Sequence, residues 1–288
     1  MHTTAIDRDN VRTTVPPEPQ TWTMLQREIQ AALQRPDLVT PDQLRNWVAF
    51  VDRHGDFWMR AHLARLLAET HAGDPVWGRI VMDWLYESAR QRSCWTEDLI
   101  FWAVRGWRDW VFRLPKVAAG AILHPRGIAQ GLAWVIQERL ISPESVPDQL
   151  LHQMIQSADR RSWLDQIAVA RLLARTRAGE NAWGLPIVDW IQHADIDEFH
   201  HTAMLVALLI RHWPKLASSR LLHRILEQDR TRMRRVLSYA ILQQWLHPED
   251  IPSDWLDVLR MHAHPDLGTH VSLQHREETG TCVPNSCK

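Results

Sequence analysis

Apolar residues recur along this chain at helical spacing, and no stretch alternates apolar and polar positions as a half-buried strand does. Leu25, Ile29 and Leu33 form one stripe at i, i+4 and i+8, which predicts a helix opening at Thr21. The same period predicts helices near 41–53, 56–71, 75–90, 96–112 and 127–140. It returns near 147–158, 162–177, 182–193, 197–212, 215–227 and 231–246. With no Asn-Gly hairpin signal between them, the expected fold class is all-α.

The pattern is also duplicated. A shift of 106 superposes Ala64–Leu85 on Ala170–Ile191, with about a dozen of some twenty positions identical, too many for coincidence. Arg65 falls on Arg171, Thr70 on Thr176, Gly73 on Gly179, Trp77 on Trp183, Gly78 on Gly184 and Trp84 on Trp190. Proline pairs punctuate the copies: Pro36 with Pro41, Pro143 with Pro147 and Pro248 with Pro252. In each pair the first proline stops what precedes it, and the second suits the first turn of the next helix. Thr40 and Gln43 fit a reciprocal N-terminal cap. Gly73 and Gly179 stand where a left-handed helix end belongs, Asp74-Pro75 opens the next helix, and Asn181 does so in the second copy. Pro186 replaces Ile80 and is expected to kink or delay its helix. The expected organisation is a disordered lead-in at 1–20, a first helical unit with its N-terminal helix at 21–145, a second unit at 146–262, and a flexible cysteine-containing tail at 263–288.

Antiparallel helices duplicated in tandem build an α-solenoid when each unit buries its face on the next. The run Gly73-Asp74-Pro75-Val76-Trp77-Gly78-Arg79-Ile80-Val81 resembles the Asp-Pro-x-Val-Arg start of a second helix in HEAT-like repeats, with Arg79 displaced from the family's arginine and Leu185 opposite it in the second copy. Gln228-Asp229-Arg230-Thr231-Arg232-Met233-Arg234-Arg235-Val236 is a looser echo. The resemblance implies a HEAT-like superhelix that holds a partner on its inner helices.

Composition narrows the function classes. The 33 basic and 34 acidic residues leave a net charge of −1, so no global field draws the chain to nucleic acid or an anionic membrane. Three cysteines in 288 residues are too few for a disulfide scaffold, no apolar run is long enough to span a bilayer, and Met1 to Gln20 has no signal-peptide core. A cytoplasmic protein without membrane contact is expected. No glycine-rich phosphate loop, nucleophile elbow or His-Glu-x-x-His occurs, and 11 glycines leave little loop material, so neither a cofactor nor a catalytic residue is assigned.

The 16 tryptophans are the most conspicuous feature. Trp77/Trp183, Trp84/Trp190 and Trp107/Trp213 recur at equal positions and read as packing keystones. Trp95, Trp102 and Trp110 have no counterparts, and with Arg105, Trp107 and Arg108 they are the first candidates for partner binding. Arg230, Arg232, Arg234 and Arg235 are the second, with a solvated face paired to Glu227 and Asp229 as the simpler reading. Glu198 and His201 have a di-metal spacing, but no second copy accompanies it and no metal is assigned. Thr281, Cys282, Ser286 and Cys287 lie in a tail that a partner enzyme would modify; zinc binding or a disulfide loop at Cys282 and Cys287 are the alternatives, and a merely disordered tail is the simpler reading.

The sequence therefore favours a non-catalytic helical-repeat scaffold for a protein or peptide partner. One competitor resembles the HEAT-like alkylpurine DNA glycosylases, which implies Trp107, Asp109, Trp110 and the arginines at 230–235 facing DNA; the neutral charge weighs against it. The other competitor is a carrier of the modifiable tail.

Overall fold

The computed structural model describes residues 22–54, 56–113, 124–158, 162–194, 199–219, 225 and 227–255, the side chains of 111–113 excepted. The lead-in, the tail with Thr281, Cys282, Ser286 and Cys287, and Glu198 lie outside these residues. Among the described residues every regular element is helical. They are α1 (Trp22–Gln34), α2 (Pro41–His54), α3 (Phe57–Thr70), α4 (Pro75–Arg90), α5 (Thr96–Gly106), α6 (Pro125–Gln137), α7 (Asp148–Ala158), α8 (Trp163–Thr176), α9 (Asn181–His193), α10 (Phe199–His212), α11 (Pro214–Ala217) and α12 (Arg230–Leu242).

Local chemistry sets the ends. The Gln43 amide N–H donates to Thr40 Oγ1 at 3.2 Å and the Thr40 amide N–H to Gln43 Oε1 at 3.0 Å, the reciprocal cap expected at α2. Asp56 accepts from the Trp58 amide at 2.8 Å to start α3, and Asp74 from the Val76 amide at 2.8 Å to start α4. The first proline of each pair opens a single turn of 3₁₀ helix, at Pro36–Leu38, Pro143–Ser145 and Pro248–Asp250. All three turns close alike, with Val39, Val146 and Ile251 each donating to the proline carbonyl at 3.3 Å.

The duplication persists in three dimensions. Gly73 and Gly179 have φ of 83° and 84°, the left-handed region where a side chain is strained. Each amide then crosses to the end of a later helix, Gly73 to the Gly106 carbonyl at 2.9 Å and Gly179 to the His212 carbonyl at 2.8 Å. The residue after each acceptor is a tryptophan that turns back into the core. Trp107 Nε1 donates to the Asp74 carbonyl at 2.7 Å, and Trp213 Nε1 to the Glu180 carbonyl at 3.1 Å. Their rings lie on Gly78 and Gly184, where an added Cβ would stand 2.7 Å from Trp107 Cδ1 and 3.0 Å from Trp213 Cγ. All six tryptophans of the repeated pairs are buried, from 0% exposed at Trp213 to 7% at Trp183.

Three expectations change, the first being the helix expected at 215–227, which starts as α11 but stops at Ala217 with a turn and bend at Ser218 and Ser219. The helix expected at 96–112 ends at Gly106, because Trp107 leaves helical geometry to reach Asp74, and the chain continues as a 3₁₀ turn over Arg108–Arg113. Pro186 does not delay α9, which begins at Asn181 and runs through it.

Helix neighbours follow a simple order. α3 packs on α5, α5 on α6, α6 on α8, α8 on α10, and α10 on α12, forming one continuous row. α1, α2 and α4 pack on α3, α7 and α9 on α8, and α11 on α10, all beside that row. The core lies between the row and these flanking helices.

Candidate functional site

Each helix of the row has two unlike sides. On α3, Met59, Leu63, Leu66 and Leu67 are buried, whereas Trp58, His62, Arg65 and Glu69 share the other side at i, i+4, i+7 and i+11. On and just before α5, Trp95, Asp98, Trp102 and Arg105 do the same. The two sets meet. His62 lies 4.0 Å from the Trp58 ring and 6.2 Å from Trp95, and Arg65 sits 5.4 Å over Trp102, whose ring also has Arg105 at 5.8 Å. On α6, Trp134 stacks on the buried ring of Phe101 at 4.0 Å and leaves 36% of itself exposed. Partly open indoles thus lie on or beside α3, α5 and α6, with two guanidinium groups over Trp102 of α5.

Asp98 lies within this aromatic group, three residues after Trp95 and four before Trp102, hence on their side of α5. Burial, followed by the Glu97 charge, pushes its carboxyl up to about 6. Burial also raises Glu97, against the pull of Arg126. Burial lowers the His62 imidazole, although its Nδ1 is 2.9 Å from the Trp58 carbonyl, a contact that favours the charged ring. A carboxyl that titrates near 6 is able to exchange a proton close to neutral pH.

Further along the row the chemistry shifts. His201 stacks on Trp163 with centroids 3.2 Å apart and planes at 16°, and burial followed by the His200 charge pushes its pKa down to about 4. His200 lies 4.4 Å from the Tyr239 ring, which meets Trp245 at 5.6 Å. No group of three or more potential metal ligands occurs among the described residues.

The sequence candidates are distributed unevenly. Trp95 and Trp102 are half-buried on the row, and Arg105 is exposed beside them. Trp107, also named as a candidate, is 3% exposed and holds Asp74, so it belongs to the core and presents no binding surface. Arg108 and Asp109 are exposed and Trp110 is half-buried, all on the 3₁₀ turn beyond α5. The second cluster is partly structural. Asp229 caps α12 by accepting from the Arg232 amide at 3.0 Å, and Arg232 Nη2 donates to the Ala194 carbonyl at 2.8 Å and to Thr202 Oγ1 at 3.2 Å. Arg230 and Arg234 are half-buried, and Arg235 is exposed.

Sequence reading missed Trp58, His62, Arg65, Asp98 and Trp134. The i, i+4 spacing on α3 and α5 was a usable signal for the first four; nothing in the sequence announced that Trp134 of α6 would stack on Phe101. Compared with known proteins, the chain matches no family model, no curated protein and no solved structure.

Proposed function

We propose that this chain is a non-catalytic scaffold of the HEAT-like, α-solenoid kind, cytoplasmic, whose row of helices from α3 to α12 holds a protein or peptide partner. One observation carries this reading: indoles and guanidinium groups left partly open to solvent line up on successive helices, at Trp58, Trp95, Trp102, Arg65, Arg105 and Trp134. Tryptophan and arginine are among the residues that most often dominate binding energy at protein interfaces, tryptophan because it buries a large rigid surface and arginine because its planar guanidinium both stacks and makes several hydrogen bonds.

Site-specific photo-cross-linking tests it. A cross-linking residue at Trp134 is expected to trap a recurrent partner in the native host, and one at Val76 on α4, 64% exposed but off the row, is expected to trap none. Equal cross-linking at both positions, or none at Trp134, overturns the reading.

Asp98 favours a second reading, the glycosylase-type enzyme, because an acid near neutrality between tryptophans suits work on a nucleobase. In that case Asp98, Trp95 and Trp102 take the parts that the sequence suggested for Asp109, Trp107 and Trp110. Titration with duplex DNA at two salt concentrations separates the readings: binding that does not weaken with salt, or no binding, removes the enzyme.

A further inference from the structure

The duplication supplies an internal comparison. Arg65 and Glu69 of α3 correspond, by the shift of 106, to Arg171 and Arg175 of α8. In the first copy the cation brings its own counter-charge, with Arg65 Nε donating to Glu69 Oε1 at 3.0 Å. In the second copy that acid has become a second arginine. A parallel change occurs on the next helix of each unit, where Asp98 of α5 corresponds to Met204 of α10 and Trp102 to Leu208. Both carboxyl groups at these positions have therefore been removed from one half of the row.

The two arginines are nonetheless held in place. Arg175 Nη1 donates to the Ala133 carbonyl of α6 at 2.8 Å and reaches Gln137 Oε1 at 3.4 Å, and Arg171 Nη2 lies 3.2 Å from Met204 Sδ on α10. All these acceptors are neutral, and neither arginine makes an ion pair among the described residues. Burial of Arg171, and then the charge of Arg175, lower its pKa. Two cations oriented by neutral groups, with no ion pair among the described residues, repel each other, and an arriving anion relieves them. Trp134 follows Ala133 and precedes Gln137 by three residues on α6, where it stacks on Phe101, and the half-buried Met204 that meets Arg171 is followed one turn later by the half-buried Leu208.

We infer that α6, α8 and α10 form a docking site for an acidic peptide segment of the partner, a carboxylate lying on Arg171 and Arg175 and adjacent apolar side chains on Trp134, Met204 and Leu208. The inference rests on the scaffold reading and names its partner's chemistry. A nucleic-acid strand fits less well, because its continuous phosphates, following the row toward α5 and α3, meet Asp98, Glu97 and Glu69, where a peptide needs only local charge matching.

The test uses the full chain and a fluorescein-labelled peptide of alternating glutamate and leucine, read by anisotropy. Arg175→Glu recreates the Arg–Glu pair of the first unit while giving up the bond to the Ala133 carbonyl, so its thermal unfolding is measured beside its binding. It is expected to weaken binding by about tenfold or more, the worth of one charge-assisted contact. Arg171→Gln is expected to weaken it several-fold, and Glu69→Gln to change it less than about twofold. Unaltered binding by Arg175→Glu overturns the site, as does displacement of the peptide by an oligothymidylate of matching length. If the peptide fails to bind wild type while Trp134 still cross-links a partner, the acidic-peptide inference falls and the scaffold reading stands. If Trp134 cross-links nothing, the scaffold reading falls instead.

Discussion

Asp98 shows how one residue's surroundings alter what its sequence position suggests. An aspartate in an unfolded chain ionises near 3.9, whereas burial and Glu97 hold Asp98 at about 6 in the fold. A carboxyl raised by folding binds its proton more tightly in the native state, so its contribution to stability is full below about 3.9 and is lost as pH rises through about 6. Asp98→Asn is accordingly expected to raise the melting temperature at pH 7.5 and to leave it unchanged at pH 3.5, and equal shifts at both pH values would contradict the assignment. Arg139 and Gln244, each at φ 57°, end α6 and α12 in a conformation that costs a side chain about 1 kcal/mol and glycine almost nothing. Arg139→Gly should stabilise by about 0.5–1 kcal/mol in urea denaturation, with an unchanged denaturant slope. Neither effect was legible beforehand. Sequence marks a residue's type, but burial and φ depend on which helix lies beside it.

At the scale of elements, legibility was much greater. Thr40 with Gln43 and Asp74 with Pro75 act through atoms a few residues away, and the positive φ of Gly73 and Gly179 is a local property of each helix end, so these roles could be read directly. The boundary after Gly106 could not, because Trp107 abandons the helix for a carbonyl 33 positions earlier. The same long-range fit makes the helical glycines essential. An alanine at Gly184 puts its Cβ 2.7 Å from Leu216 Cδ2 and 3.0 Å from Trp213 Cγ. Overpacking of this kind costs about 1–3 kcal/mol, against the small gain that alanine normally brings to a helix. Gly184→Ala is therefore expected to destabilise, and a stabilised variant in thermal or urea unfolding would show that the ring moves freely.

For the molecule as a whole, each helix touches its neighbours in the row and the helices beside it, and α4 and α9 pack on different partners. Perturbations in the two copies should then act independently. Gly78→Ala and Gly184→Ala combined are expected to cost the sum of the single variants within about 0.5 kcal/mol, a larger coupling signalling transmission through the row. Where the copies agree most closely in sequence, at Gly73/Gly179 and Gly78/Gly184, they repeat the same turn and the same tryptophan contact. Where they differ, the row changes character, from Trp102, Asp98 and the Arg65–Glu69 pair to Leu208, Met204 and two arginines. Repetition disclosed the architecture of the core; departure from repetition disclosed the candidate surface.

By itself the sequence determined the helical class, the helix ends set by nearby caps, the duplication, and the burial of the recurring tryptophans. These follow from short-range hydrogen bonding and from the periodicity of apolar side chains, both written within one turn or one repeat. Only the tertiary structure decided that Trp107 leaves its helix for the Asp74 carbonyl, that Trp134 stacks on Phe101, that Asp98 titrates near 6, and that Arg171 and Arg175 make no ion pair among the described residues. Each of those properties depends on groups brought together from distant parts of the chain, and dielectric surroundings and charge pairing act through space and not along the sequence.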